Sequence, residues 1–172
     1  RRETDAGFAA LMPMPLVRSI VVGACLSFSL IATAAPPAPP APSPERQAEA
    51  AFEKQDWARA AAGYEALTKS GSSVPKHWMR LALARHKLGQ LKEAAAAYEK
   101  VIALGAPQST MAHYNLACLL AAAPADRNRA FAELTAAVEG GTPPHQLKAD
   151  PDLLPLAPDP RYAALVDKAE RL

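Results

Sequence analysis

Small and large apolar residues recur in a fixed order along the middle of the chain. Residues 91–101 read LKEAAAAYEKV, and residues 57–67 read WARAAAGYEAL, with the same order 34 positions earlier. A weaker copy, NRAFAELTAAV, lies at residues 128–138, where Ala130, Leu134 and Ala137 follow Ala94, Tyr98 and Val101 by 36 positions. Self-similarity at a fixed period of this length predicts stacked helical units. A chance match between alanine-rich helices is the alternative, and the shared small–large order at one offset argues against it.

The complete unit is clearest at residues 76–107, where two amphipathic helices are predicted. Trp78, Leu81, Ala82 and Leu88 share one face of the first helix, and Gly89 ends it. The second helix has its apolar positions at Ala94, Ala97, Tyr98 and Val101, and Gly105 and Pro107 close the unit. Two helices joined by so short a turn pack antiparallel. Alanines therefore stand where the backbones approach, and the tyrosine fills the space between successive pairs.

This unit resembles a tetratricopeptide repeat. The resemblance is carried by Trp78, Leu81, Ala82, Gly89, Ala94, Tyr98 and a slightly late Pro107. Arg85 departs from it, since the family commonly has an aromatic or large apolar residue there. The resemblance implies an all-α fold, a short right-handed solenoid of antiparallel helix pairs, with two good repeats and one degenerate repeat. Trp78, Leu81, Ala82, Gly89, Ala94, Tyr98, Tyr64 and Ala60 are the predicted repeat-packing residues.

The repeats are predicted at about residues 45–74, 75–108 and 109–141, followed by a C-terminal cap at 142–172. The first helix of the first unit is poor in large apolar residues, and the third unit has a longer turn without glycine. In the cap, Asp150 and Asp159 each precede a proline and are predicted helix N-caps. The last helix carries an apolar stripe of Tyr162, Leu165, Val166 and Ala169. The segment also resembles the tail that follows many bacterial arrays of this family.

The first part of the chain has the features of an export signal. Arg18 precedes an apolar run from Ile20 to Ala32, and Ala32-Thr33-Ala34 is a predicted cleavage triplet. We therefore expect a signal peptide region at residues 1–34, with 1–11 upstream of the true start, and an exported protein, periplasmic or secreted. Residues 35–44 are a predicted proline-rich linker. Residues 45–172 remain for the folded domain.

Two alternatives leave the chain attached to a membrane. An uncleaved signal would anchor it through residues 16–34, although the apolar run is short for a membrane span. Val22-Gly23-Ala24-Cys25 resembles a lipobox, which would lipidate Cys25, although most of the apolar run follows that cysteine. After processing at residue 34, Cys118 is the single cysteine, and its apolar neighbours predict a buried, unreactive thiol.

Composition and motifs argue against catalysis and against nucleic-acid binding. The formal net charge is +2, which is well below the strong basic excess expected of a nucleic-acid-binding protein. The four histidines, His77, His86, His113 and His145, have no metal-ligand spacing, and His77 and His86 are predicted on solvated surface. The serines lie in no nucleophile motif, and the acidic cluster Asp150, Asp152 and Asp159 is explained by capping. We predict no enzyme activity, no cofactor and no metal site.

One stretch is a candidate binding surface. Residues 69–92 contain six basic residues and no acidic residue: Lys69, Lys76, Arg80, Arg85, Lys87 and Lys92. Lys76 and Arg80 share a helix face at i, i+4 spacing. Members of the family that hold a partner's terminal carboxylate use a similar pair. Here the preceding repeat offers Glu45 and Glu49 in place of their other clamp residues, and Asn115 follows the pair where the family has its asparagine earlier, so the clamp is incomplete. The looser hypothesis is a concave face of Lys76, Met79, Arg80, Leu83 and Tyr114 that binds an acidic or mixed segment. The alternative is a merely solvated basic face.

The resemblance implies a non-catalytic protein–protein interaction module or scaffold, and the signal places it in the cell envelope. Its partners would be other proteins, bound in the groove of the repeats. The alternative is an accessory or regulatory subunit of an envelope enzyme complex, in which the partner carries the catalysis.

Overall fold

The computed structural model describes residues 41–105 and 107–172. Within these ranges every regular element is helical. The eight α-helices are α1 Pro44–Glu53, α2 Trp57–Lys69, α3 Pro75–Lys87, α4 Leu91–Ala103, α5 Ser109–Ala121, α6 Arg127–Glu139, α7 Pro144–Ala149 and α8 Pro160–Arg171. Two 3-10 helices, Pro124–Asp126 and Pro151–Leu156, precede α6 and α8. The predicted signal region and residues 35–40 of the linker lie outside the described residues.

Successive helices pack on one another along the whole series from α1 to α6. The pairs α1–α2, α3–α4 and α5–α6 each form a hairpin, and α2 and α4 also pack against the following pair. Each helix therefore buries its apolar stripe against the other helix of its hairpin, and each hairpin packs on its neighbours. The predicted all-α solenoid of helix pairs is confirmed.

The turns follow from local sequence. Gly89, predicted to end a helix, lies just beyond α3 with a φ of +72°. Glycine adopts this left-handed conformation without the penalty a Cβ would bring. In the third pair no glycine is present, and Pro124–Asp126 forms a 3-10 turn between α5 and α6 instead. This explains how the longer turn still leads into an antiparallel partner.

The helix crossings use alanine as the sequence suggests, but not at every alanine of α4. Ala94 and Ala97 are buried against neighbouring helices, and Tyr98 is fully buried beside them. Ala96 lies exposed on the outer side of α4. Burial of Tyr64 and Tyr98, both at 0 % exposure, puts these two rings at the centre of successive repeats.

The first helix is polar on the side that meets no other helix among residues 41–172 of the structure. In α1 only Ala48 is fully buried, while Phe52 is partly buried against the core. Pro44, predicted in the linker, is instead the first residue of α1. Proline suits that position because its missing N–H would have no partner within the helix.

The C-terminal region closes the other end. Helix α8 packs on α6 and α7, and the 3-10 helix Pro151–Leu156 packs on α5. Asp150 and Asp159 act as N-caps, accepting hydrogen bonds from the backbone N–H groups of Asp152 (2.9 Å) and Arg161 (3.0 Å). No helix in the described part of the chain is long and apolar enough to span a membrane.

Candidate interaction surface

The predicted binding residues lie on α3 and α5, the first helices of the second and third repeats, and Glu45 and Glu49 of α1 contact side chains of α3. We call this surface the first-helix face. It comprises Glu45 and Glu49 in α1, Lys76, Met79, Arg80, Leu83 and Lys87 in α3, and Tyr114 and Cys118 in α5. Aligning the Leu-Ala pairs of α3 and α5 puts Met79 and Tyr114 in equivalent positions, and likewise Leu83 and Cys118. In α3, Lys76, Arg80, Leu83 and Lys87 follow one another at helical spacing.

Lys76 and Arg80 both contact one carboxylate of the preceding repeat. Lys76 Nζ lies 3.2 Å from Glu49 Oε2, and Arg80 donates to Glu49 Oε1 at 3.0 Å. The guanidinium of Arg80 also stacks on the ring of Phe52, 4.2 Å from its centroid. The sequence prediction treated these two cations as available to a partner. The structure gives them an internal partner, and two cations share a single carboxylate.

Glu49 is the centre of this cluster. The hydroxyl of Tyr64 in α2 donates a hydrogen bond to Glu49, so the carboxylate joins three helices. That hydrogen bond, followed by the nearby charges of Lys76 and Arg80, holds the pKa of Glu49 below its usual value. Burial and the same hydrogen bond raise the pKa of Tyr64, which therefore stays protonated as the donor.

Met79 and Leu83 do not form an open apolar surface. Met79 is 6 % exposed and belongs to the core, and Leu83 is partly buried against it. Residues at these positions were predicted to face a ligand. The structure instead packs both side chains on the hydrophobic core.

Tyr114 is also engaged within the chain. It is 4 % exposed, and its hydroxyl donates to Asp150 Oδ2 at 2.6 Å. The thiol of Cys118 lies 3.7 Å from the same oxygen. Burial raises the pKa of Tyr114, and burial beside Asp150 raises the pKa of Cys118 to about 12. Cys118 is thus buried and protonated at neutral pH. Tyr114, predicted to contact a partner, instead holds the chain's own C-terminal region.

Two carboxylates therefore organise this surface. Glu49 pairs with the basic side chains of α3, and Asp150 accepts a hydrogen bond from Tyr114 of α5. The sequence placed Glu49 in the preceding repeat as a departure from the clamp pattern, and the structure shows it paired with the two cations of α3. Asp150 was identified only as a helix cap, since the fold alone brings it to Tyr114.

The remaining basic residues of the stretch at 69–92 are partly neutralised. Lys69 and Arg85 both pair with Glu65 of α2 at 2.9 Å. Arg85, the departure from the family pattern, keeps its side chain 16 % exposed and reaches Glu65 where an aromatic ring would pack. Lys87 and Lys92 are exposed and make no ion pair with the described residues.

The second helices enclose two shallow grooves on either side of α4. One, of about 340 Å³, runs between α4 and the α5–α6 turn, with Leu91, Ala95 and Leu119 among its apolar lining. The other, of about 270 Å³, lies between α2, α3 and α4 beside Trp78. Ala96 lines both. Ala94 is thus a packing residue, whereas Ala96 lines open grooves. The sequence pattern did not distinguish these two roles.

The predicted exposure of one histidine is wrong. His77 was predicted on solvated surface, but it is 6 % exposed. Its Nδ1 lies 2.7 Å from Ser72 Oγ and its Nε2 lies 3.2 Å from Glu45 Oε1, so the ring ties α1 to the α2–α3 turn. Burial lowers the pKa of His86. Among the described residues no group of three or more His, Cys, Asp or Glu side chains could hold a metal ion.

Comparison with known families agrees with this architecture. A family model described as tetratricopeptide repeat matches residues 45–109, which span the hairpins α1–α2 and α3–α4. No curated protein matches the chain. Tetratricopeptide repeats are in general protein–protein interaction modules and are typically non-catalytic. Residues 45–109 therefore form tetratricopeptide repeats, and a third helix pair is packed in the same way.

Proposed function

We propose that this chain is a non-catalytic interaction module of the cell envelope that binds an acidic or mixed segment of a partner on the first-helix face. The supporting observation is the cluster around Glu49. One carboxylate serves both Lys76 and Arg80, and the side chain of Lys76 remains 50 % exposed. Lys87 continues the same side of α3 and is exposed. A partner carboxylate would bring a second negative charge to this unbalanced set.

The test is affinity capture with the full chain from an envelope fraction. The variant Lys76→Gln with Lys87→Glu removes positive charge from the first-helix face while sparing the Arg80–Glu49 pair. Lys100→Glu, an exposed lysine of α4, is the matched control. We expect the double variant to lose the captured partner at unchanged helicity, and the control to keep it. Equal recovery by both would contradict the proposed surface.

The identity of the captured protein separates two roles. Recovery of several unrelated envelope proteins supports a general adaptor. Recovery of a single enzyme in stoichiometric amount supports the alternative of an accessory or regulatory subunit. Turnover by the isolated chain would contradict both.

The proposed export rests on Arg18, the apolar run and the Ala32-Thr33-Ala34 triplet. Mass spectrometry of the mature protein tests it. A polypeptide that begins at Ala35 supports cleavage. A diacylated Cys25 or an intact segment at residues 16–34 would instead support one of the two membrane-attached alternatives. Recovery of the uncleaved chain from the cytoplasm would contradict export.

A further inference from the structure

One segment of the chain lies on the first-helix face of α5. We call residues 143–157 the strap. Its 3-10 helix packs on α5, its Asp150 carboxylate accepts from Tyr114, and Leu153 and Leu156 are completely buried. Helix α5 is correspondingly buried around most of its circumference, with Tyr114 and Cys118 on one side and Ala112 and Leu116 among the core residues. The strap thus covers Tyr114 and Cys118, the positions in α5 that are equivalent to Met79 and Leu83 in α3.

The strap is attached to α5 as a bound peptide would be. Its non-helical backbone hydrogen bonds are local, such as that from the N–H of Leu153 to the carbonyl of Asp150 at 3.2 Å. Apart from the bond from the N–H of the adjacent Asp159 to the carbonyl of Leu156 at 2.9 Å, its hydrogen bonds to the rest of the described chain involve side chains. One is donated by the hydroxyl of Tyr162 to the carbonyl of Leu147 at 2.5 Å. Four prolines, Pro143, Pro144, Pro151 and Pro155, remove N–H donors from it. A six-residue 3-10 helix with an internal proline has little stability of its own.

The contacts define which chemistry this surface accepts. Asp150 supplies a carboxylate to Tyr114, and Pro151 starts the 3-10 helix. Leu153 and Leu156 stand three residues apart, which in a 3-10 helix places them on one side. Leu154 points away and is 65 % exposed. The recognised pattern is therefore an acidic residue, a proline, and two leucines at the third and sixth positions after the acidic residue.

We propose that the first-helix face of α5 is a binding site for partner segments of this acidic–proline–leucine class, and that the strap occupies it until such a partner displaces it. This rests on the proposed function, since it assumes that the repeats bind proteins, but it concerns a different part of the face. The partner replaces the strap's contacts with equivalent contacts. Its apparent affinity is therefore its intrinsic affinity multiplied by the fraction of time that the strap is open. Loosening the strap should restore that affinity.

Cys118 offers a direct readout of whether this site is covered. Cys118 is 7 % exposed, and its thiol lies beside Asp150. The full chain has two cysteines, so a Cys25→Ser background leaves one thiol to label. The probe is the synthetic octapeptide ADPDLLPL, the sequence of residues 149–156. The variant Leu153→Ala with Leu156→Ala loosens the strap without altering the charges around Cys118, and Leu154→Ala is the matched control.

We expect Cys118 in the loosened variant to react with a small thiol reagent at least about tenfold faster than in the parent, at unchanged helicity. The peptide should slow that reaction again, and a peptide with its first aspartate replaced by alanine should slow it less. The control should behave as the parent. If the double variant loses its helical signal, Leu156→Ala alone is tested by the same criteria.

Three results would overturn the proposal. One is a loosened, helical variant whose Cys118 the peptide does not protect, and another is equal protection by a scrambled peptide. The third is dimerisation of the loosened variant, which would mean that a second copy of the chain is the occupant. All three are distinct from failure of the capture experiment, because that experiment tests Lys76 and Lys87, and this one tests α5.

Discussion

The hydroxyl of Tyr64 in α2 donates a hydrogen bond to the carboxylate of Glu49 in α1. Tyr98 occupies the same place one repeat later, also fully buried, but its hydroxyl has no hydrogen-bond partner among the described residues. The repeat therefore uses one side chain in two ways. In the first unit the tyrosine packs and anchors a charged cluster, and in the second it only packs.

Removing the two hydroxyls should have different consequences. Tyr64→Phe deletes a hydrogen bond to a charged group and should lower the free energy of unfolding by about 1.5–3 kcal/mol. Tyr98→Phe removes a buried hydroxyl without a partner and should be neutral or slightly stabilising. Urea denaturation of the two variants and the parent measures both. Equal losses in the two variants would show that the Tyr64 hydroxyl is no better satisfied than that of Tyr98.

Acid should weaken the first repeat through Glu49. Because the pKa of Glu49 is lowered in the folded state, its contribution to stability is present above its unfolded pKa and is lost as the pH falls through the folded value. Glu49→Gln should be less stable than the parent near pH 7, and the difference should shrink at about pH 3. Denaturation midpoints at the two pH values measure this.

The control for that experiment is Glu53→Gln. Glu53 lies on the same helix, is exposed, and makes no ion pair with described residues. Its substitution should leave the stability little changed at either pH. A gap between parent and Glu49→Gln that is the same at pH 7 and pH 3 would disprove the electrostatic role of Glu49.

Glycine at position 63 is required by the close approach of α1 and α2. A Cβ there would stand 2.7 Å from the Cβ of Ala48. Alanine normally favours a helix over glycine by about 1 kcal/mol, but we expect Gly63→Ala to destabilise the protein by about 1–3 kcal/mol through overpacking. Adding Ala48→Gly should recover part of that loss. Thermal denaturation of the single and double variants tests the contact, and a stabilised single variant would refute it.

Much of the fold could be predicted because its determinants are local or periodic. The small–large order around Tyr64 and Tyr98 marks successive units, and Gly89 marks a turn. The prolines after Asp150 and Asp159 mark helix starts that the structure contains. Each of these signals depends on neighbours within a few residues, which a sequence displays directly.

The candidate surface could not be predicted to the same extent because its contacts are long-range. Asp150 illustrates this. Its Oδ1 accepts from the N–H of Asp152, as the capping pattern predicts, and its Oδ2 accepts from Tyr114 in another helix. Likewise the spacing of Lys76 and Arg80 marks a shared helix face, but only the packing of α1 on α3 brings Glu49 between them. The same side chains that seemed available to a partner are therefore used within the chain.

The double-mutant cycle of Tyr114→Phe and Asp150→Ala tests the central claim, that the chain covers its own first-helix face at α5. The capping bond of Asp150 to Asp152 does not involve Tyr114, so the cycle isolates the bond between the hydroxyl and the carboxylate. We predict a favourable coupling of about 1 kcal/mol or more in the free energy of unfolding. Additive effects, with a coupling near zero, would contradict the account.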